Sequence, residues 1–187
     1  APELLAVELA RLLSSLRAEL PGVRVHLVVG HRPADLGRQE ADVALRVTRT
    51  PSEGLIGRKL ADVAFAVYSA TSYAPGCSDL GSLDWVCFEA TPASTPQHRW
   101  EAENVSPARA AIRTNSRAAF LEAVVAGAGV GILPCGVAAR APTLVARSGV
   151  LRELTLPLWM LLHPEVAKAP RARCVADLLQ AAIGRER

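Results

Sequence analysis

Two long apolar runs, Leu60 to Tyr68 and Leu156 to His163, most constrain how this chain can fold. Each reads as a strand long enough to pass between two compact lobes, so the segment between them belongs to one lobe and the two outer segments to the other. The outer part opens with a helix: Leu5, Leu9, Leu12, Leu13, Leu16 and Leu20 recur at three- and four-residue steps and give one apolar face. Pro21-Gly22 stops it. Val23, Val25, Leu27 and Val29 then alternate with Arg24, His26 and Val28, which predicts a strand over 23–29. A turn at Gly30-His31-Arg32-Pro33, a short helix over 34–38 and a second strand over 41–47 follow. The apolar character of that second strand suggests burial on both faces, as in a parallel sheet. Strand, helix, strand is a βαβ pattern, and it points to an α/β class.

The middle of the chain contains one clear strand at Trp85 to Phe88, a second over 110–115 and a helix from Ser116 to Ala126 capped by Gly127. A short strand from Gly129 to Pro134 comes next. After the second crossing run a last helix begins at Pro170, with Val175, Leu178, Leu179, Ala182 and Ile183 as its buried stripe. The chain thus reads as lobe one, a crossing, lobe two, a crossing back, and a helix that returns to lobe one.

Charge argues against nucleic acid as a direct partner of these residues. The 21 Lys and Arg exceed the 18 Asp and Glu by only 3, and no run of five or six basic residues occurs. No apolar stretch approaches the roughly 18 residues that span a bilayer, and Ala1 to Leu13 lacks the basic start and cleavage site of a signal peptide. A cytoplasmic chain with no membrane partner is expected. The four cysteines, Cys77, Cys87, Cys135 and Cys174, form no Cys-x-x-Cys, and no His pair has metal spacing. They read as reduced, mostly buried thiols, with a Cys77/Cys87 redox pair as the alternative.

No catalytic constellation stands out among the four histidines, and no Gly-x-Ser-x-Gly elbow exposes a nucleophile. Gly127-x-Gly129-x-Gly131 has the wrong spacing for a phosphate loop and leads into a strand; it reads as a helix cap plus tight packing. No cofactor, metal site or enzymatic activity is expected. Binding is better supported. In open α/β sheets ligands sit at the carboxyl ends of strands, beside helix N-termini. That rule selects Pro2 and Glu3 at the first helix start, His31 after the first strand, Arg46, Val47 and Thr48 at the end of the second, and Thr114, Asn115 and Ser116 in lobe two. Thr114, Asn115 and the following helix start would receive a carboxylate or another anion. Arg46 could fork onto an acidic ligand or face solvent or a neighbouring glutamate. His31 could reach the ligand or lie in solvent, Asn115 could serve instead as a helix N-cap, and Glu3 would oppose an anion.

Three stretches, in order, carry a family resemblance. Ala41-Asp42-Val43-Ala44-Leu45-Arg46-Val47, followed by Leu60-Ala61-Asp62-Val63 and Tyr68-Ser69-Ala70-Thr71-Ser72-Tyr73, is the first. Asn115 through Pro134 is the second, and Leu156-Pro157-Leu158-Trp159-Met160-Leu161-Leu162-His163-Pro164 is the third. Together they resemble the effector-sensing module of LysR-type transcriptional regulators. The resemblance implies a two-lobed, periplasmic-binding-protein-like (type 2) α/β fold with two crossover strands and a central ligand cleft. Lobe one would comprise residues 1–67 and 158–187, and lobe two 68–157. It implies a small-molecule effector and a homodimer, tetrameric in the full-length protein. In that dimer the first helix and following strand of lobe one pack head to tail on the partner's lobe two. Leu4 and Val7, beside the main stripe of the first helix, suit that pairing, though a well-buried helix would also explain them. The family's winged helix-turn-helix DNA-binding domain and its first sheet strand have no counterpart in these residues, so DNA would be reached only through the missing N-terminal domain. The competing readings are a transport solute-binding protein and an enzyme of the same fold.

Overall fold

The computed structural model describes residues 3–19, 21–30, 35–38, 40–73, 79–89 and 95–185. The chain divides into two compact units, Ala1–Asp62 with Leu156–Arg187, and Val63–Thr155. The divisions fall at 62/63 and 155/156, where the sequence suggested 67/68 and 157/158.

In the first unit, helix α1 (Glu3–Ser15) buries Leu9 and continues into a tight turn that buries Leu16. The sheet is β1 (Val43–Val47), β8 (Leu156–Leu162) and β2 (Ile56–Val63), in the order β1-β8-β2. β1 pairs antiparallel with β8, placing Val43 opposite Leu162 and Arg46 opposite Trp159. The parallel arrangement expected for 41–47 is therefore corrected: its apolar residues are explained by Leu36, Ala44 and Leu161, which form a small core with Trp159 and Leu55 against it. Helix α6 (Pro170–Arg185) lays Ala176 and Leu179 inward.

Two further expectations for this unit are corrected. Residues 23–30 join none of the sheets, and Val25, Val28 and Val29 are exposed. Alternation marks two faces, but it does not by itself decide whether a segment joins a sheet. The short helix predicted over 34–38 is a turn at 36–38, with residue 34 outside the described residues. Asp35 Oδ1 accepts the N–H groups of Gly37 at 2.9 Å and Arg38 at 3.2 Å, and this local bonding closes the turn before a helix can start.

The first apolar run proves to be two strands. β2 belongs to the first unit, Ala64 interrupts, and β3 (Phe65–Ala70) is the centre of the second unit's sheet, order β6-β3-β7. Its neighbours β6 (Gly131–Pro134) and β7 (Leu144–Ala146) are both antiparallel to it. A second, parallel pair is formed by β4 (Trp85–Phe88) and β5 (Ala110–Thr114). Helix α2 (Pro96–Asn104) lies between β4 and β5 in the chain, so the βαβ unit expected at 23–47 occurs here instead. β4 is buried on both faces. Trp85 and Cys87 join Phe65, Val67, Leu83 and Ile132, while Val86 and Phe88 join Phe120, Val124 and Leu133. Helix α3 (Arg117–Val125) supplies Phe120 and Val124 to that second cluster.

Candidate functional site

The parallel pair β4–β5 brings two strand ends together, with Phe88 opposite Thr114. The N–H of Glu89 donates to the Thr114 carbonyl at 2.8 Å, which ties the ends of both strands. Past Thr114 the chain turns into α3. Thr114 Oγ1 accepts the N–H of Ser116 at 3.1 Å, and Ser116 Oγ accepts the N–H of Ala119 at 3.3 Å. Ser116, not Asn115, is therefore the N-cap; Asn115 lies exposed one residue earlier, which removes its alternative role. Thr114 and Ser116 are half-buried.

The other tip, at the end of β1, is organised around Thr48. Its N–H donates to the Pro157 carbonyl at 3.1 Å, and Trp159 Nε1 donates to the Thr48 carbonyl at 3.1 Å. Thr48 Oγ1 donates to the Thr50 carbonyl and accepts the Thr50 N–H, at 3.1 and 3.3 Å. Arg46 is half-buried and donates from Nη1 to Ser52 Oγ at 2.8 Å. Val47 is half-buried beside it. Glu3 opens α1. Pro2, His31 and Cys77 lie outside the described residues. The structure thus brings Thr114, Asn115 and Ser116 together in one unit and Arg46, Val47 and Thr48 in the other.

Behind the β4–β5 tip lies a polar group that sequence reasoning missed. Helix α2 buries Gln97, His98 and Glu101, a polar face. Burial pushes the Glu101 carboxyl up to about 7, opposed by the Phe88 N–H and by Arg113 and Arg117. Burial also pushes the Cys87 thiol up to about 11, reinforced by Glu101 and opposed by Arg113. His98 is held below its ordinary value by burial and then by Arg117. Its ring stacks on Phe88, with centroids 5.3 Å apart, and the Arg117 guanidinium sits over the same Phe88 ring at 4.3 Å. The signal that could have found this helix is Thr95-Pro96: Thr95 caps it and Pro96 fills its first turn.

A pocket of about 260 Å³ lies within the first unit, lined by Ile56, Arg58, Leu162, Ala167, Arg173 and Ala176. Arg58 is committed to Asp177 at 2.7 Å and Gln180 at 2.9 Å, and Arg173 to the Lys168 carbonyl at 3.2 Å. None of the strand-tip residues lines it, so the tips remain the better candidate. Among the described residues no cluster of three His, Cys, Asp or Glu is placed to hold a metal ion, and no helix is long and apolar enough to cross a membrane.

The family profile described as "LysR substrate binding domain" matches residues 1–184. The chain belongs to this family. Its LysR-type fold is matched by the regulatory domain of CrgA from Neisseria meningitidis, with a TM-score of 0.78 and 20% identity over 98% of this chain and 96% of that one. The effector binding domain of AmpR from Citrobacter freundii is similar, with a TM-score of 0.76 and 16% identity over 98% and 95%. In sequence, the chain is 27% identical over 184 residues to the HTH-type transcriptional regulator PtxR of Pseudomonas aeruginosa. That match covers 90% of this chain but 57% of the relative's length. The matches are to transcriptional regulators, and nothing in them supports the transport reading.

Proposed function

We propose that this LysR substrate-binding domain is the sensing part of a transcriptional regulator. Its effector-binding residues are the β1 tip of the first unit, Arg46–Thr48, and the β5–α3 tip of the second, Thr114–Ser116, with Pro2, Glu3 and His31 as the further contacts expected from the sequence. The family match over residues 1–184 carries this reading. The strand-end rule for parallel α/β units supports the β5–α3 address, and threonine hydrogen bonds order the main chain at both tips. An acid group is best received at Thr114–Ser116, where the start of α3 carries partial positive charge and Arg113 and Arg117 flank the tip. Effector binding shifts the balance between two states of the domain. The change reaches DNA through a DNA-binding domain elsewhere in the parent protein and through a homodimer, or a tetramer in the full-length protein. Such a parent works in the cytoplasm and turns nothing over.

The test is a thermal-shift screen of the chain against small organic acids and aromatic compounds. A compound present at 100 times its dissociation constant adds about 2.7 kcal/mol to stability, and the midpoint rises accordingly. Thr114→Leu and Asn115→Leu remove that rise while the unliganded midpoint stays near the parent value. A rise that survives both substitutions places the effector elsewhere. Conversion of any compound in the panel identifies an enzyme.

A further inference from the structure

The pocket of about 260 Å³ in the first unit has no part in the strand-tip reading. Its walls come from four elements: Ile56 and Arg58 on β2, Leu162 at the end of β8, Ala167 at the end of α5 (Pro164–Ala167), and Arg173 and Ala176 on α6. Alternate residues of a strand share a face. Along β2 that face runs from exposed Ile56 through half-buried Arg58 to buried Leu60, so it descends from solvent into the core. On α6, Arg173, Ala176, Asp177 and Gln180 follow at three- and four-residue spacing and form one stripe. Arg58 ties the strand to that stripe: its Nη1 donates to Asp177 Oδ1 at 2.7 Å and to Gln180 Oε1 at 2.9 Å. Beside this tie the helices present only Ala167 and Ala176, and side chains that small leave the gap open.

The lining of the gap points to a ligand with two unlike ends. Ile56, Leu162, Ala167 and Ala176 are apolar. Water there finds few partners, and an apolar group that replaces poorly held water gains affinity. A dry cavity of about 150 Å³ accepts one benzene ring, so about 260 Å³ accepts a ring and a small polar group. The other two lining residues are arginines with donors in hand. Arg58 spends Nη1, and Arg173 spends Nη2 on the Lys168 carbonyl at 3.2 Å. No further hydrogen bond or ion pair engages either guanidinium among the described residues, and each carries five N–H donors. Asp177 compensates Arg58, whereas Arg173 meets no carboxylate among the described residues. Two guanidinium groups against one carboxylate leave this wall positive.

We propose that the pocket is a second small-molecule site, for a small carboxylic acid with an apolar body. The body rests on Ile56, Leu162, Ala167 and Ala176, and the carboxylate takes the remaining donors of Arg173 and Arg58, the residue type whose fork fits it. All six residues belong to the first unit and none to either strand tip. The site therefore stands whether or not an effector binds at the tips. An acid held there bridges β2 and α6 and stabilises the folded chain by mass action.

The probe is benzoate, added to the ¹⁵N-labelled chain and followed by NMR. Benzyl alcohol, which keeps the ring without the charge, and acetate, which keeps the charge without the ring, are the comparisons. With benzoate the Arg58 and Arg173 side-chain N–H signals and the Ala167 and Ala176 amides are expected to move together and to saturate. Benzyl alcohol and acetate bind more weakly, each by about tenfold or more, the loss that follows removal of a charge-assisted hydrogen bond or of ring burial. Arg173→Gln, at an exposed position, weakens benzoate by about tenfold or more and leaves benzyl alcohol unchanged. Ala167→Leu fills the gap and removes both, while Thr114→Leu alters neither. If Ala167→Leu does not fold, the contrast between benzoate and benzyl alcohol in Arg173→Gln decides alone. Benzoate that moves none of these signals at millimolar concentration overturns the proposal, as does binding indifferent to Arg173→Gln. Signals that move only at Thr114–Ser116 and vanish in Thr114→Leu also overturn it, and give the acid to the tip instead.

Discussion

A methyl group on Gly129 would stand 2.4 Å from the Asp84 carbonyl oxygen, and φ there is +156°. The main chain needs that closeness, because the Val130 N–H donates to the same Asp84 carbonyl at 2.8 Å and the Val86 N–H donates to the Val130 carbonyl at 2.8 Å. These bonds join the start of β6 to β4. Gly129→Ala is therefore expected to cost well over the roughly 1 kcal/mol seen when a substitution violates its backbone conformation, read as a lower urea midpoint with unchanged slope. The glycine pattern was legible as cap and packing, since Gly127 takes φ +85° after α3 and Gly131 abuts Phe120 and Val124. The roles of single polar residues were less so. Asn115 and Ser116 are both good cap residues, and only the fold shows that Ser116 takes the position. Glu101 and His98 carried no signal, because a buried polar residue and an exposed one look alike in a sequence.

At the level of elements, legibility followed the strength of apolar patterning. β4 was read to the residue, and α3 and α6 to within a residue or two, because each presents runs or stripes of buried apolar side chains. Helix α2 was missed because Pro96–Asn104 has no apolar stripe; Trp100 alone packs against the core around Trp85, with ring centroids 6.0 Å apart. The opposite error, at 23–29, came from reading alternation as pairing. If α2 is held mainly by its ends, its cap matters more than in an amphipathic helix. Thr95 accepts the His98 N–H and donates its own N–H back to His98, a reciprocal cap. Thr95→Ala is expected to destabilise the unit by about 1 kcal/mol, while Thr95→Ser leaves it nearly unchanged and Thr95→Gly costs only a few tenths. Chemical unfolding of the three variants under one set of conditions ranks them.

Among the described residues of the first unit, four valines stand exposed. Val7 on α1 is 59% exposed, and Val25, Val28 and Val29, just past the Pro21-Gly22 turn, are 48%, 51% and 40% exposed. Leu9 on α1 and Leu16 in the turn after it are buried, whereas Val7 is not part of that core. We propose that a second copy of the chain covers this region, in keeping with the homodimer expected from the family resemblance. Full burial of a valine contributes about 1.5–3 kcal/mol, and about 1.4 kcal/mol is a tenfold change in dissociation constant. Val7→Asp combined with Val25→Asp should weaken self-association by at least a hundredfold, seen by sedimentation as a shift from dimer to monomer at unchanged helical content. Both sites lie in the first unit, whereas Gly129 and Thr95 lie in the second. The unfolding midpoint of dilute protein should therefore be the same in the double variant. A parent chain that sediments as a monomer throughout excludes the dimer, and a double variant that still dimerises moves the interface away from these valines.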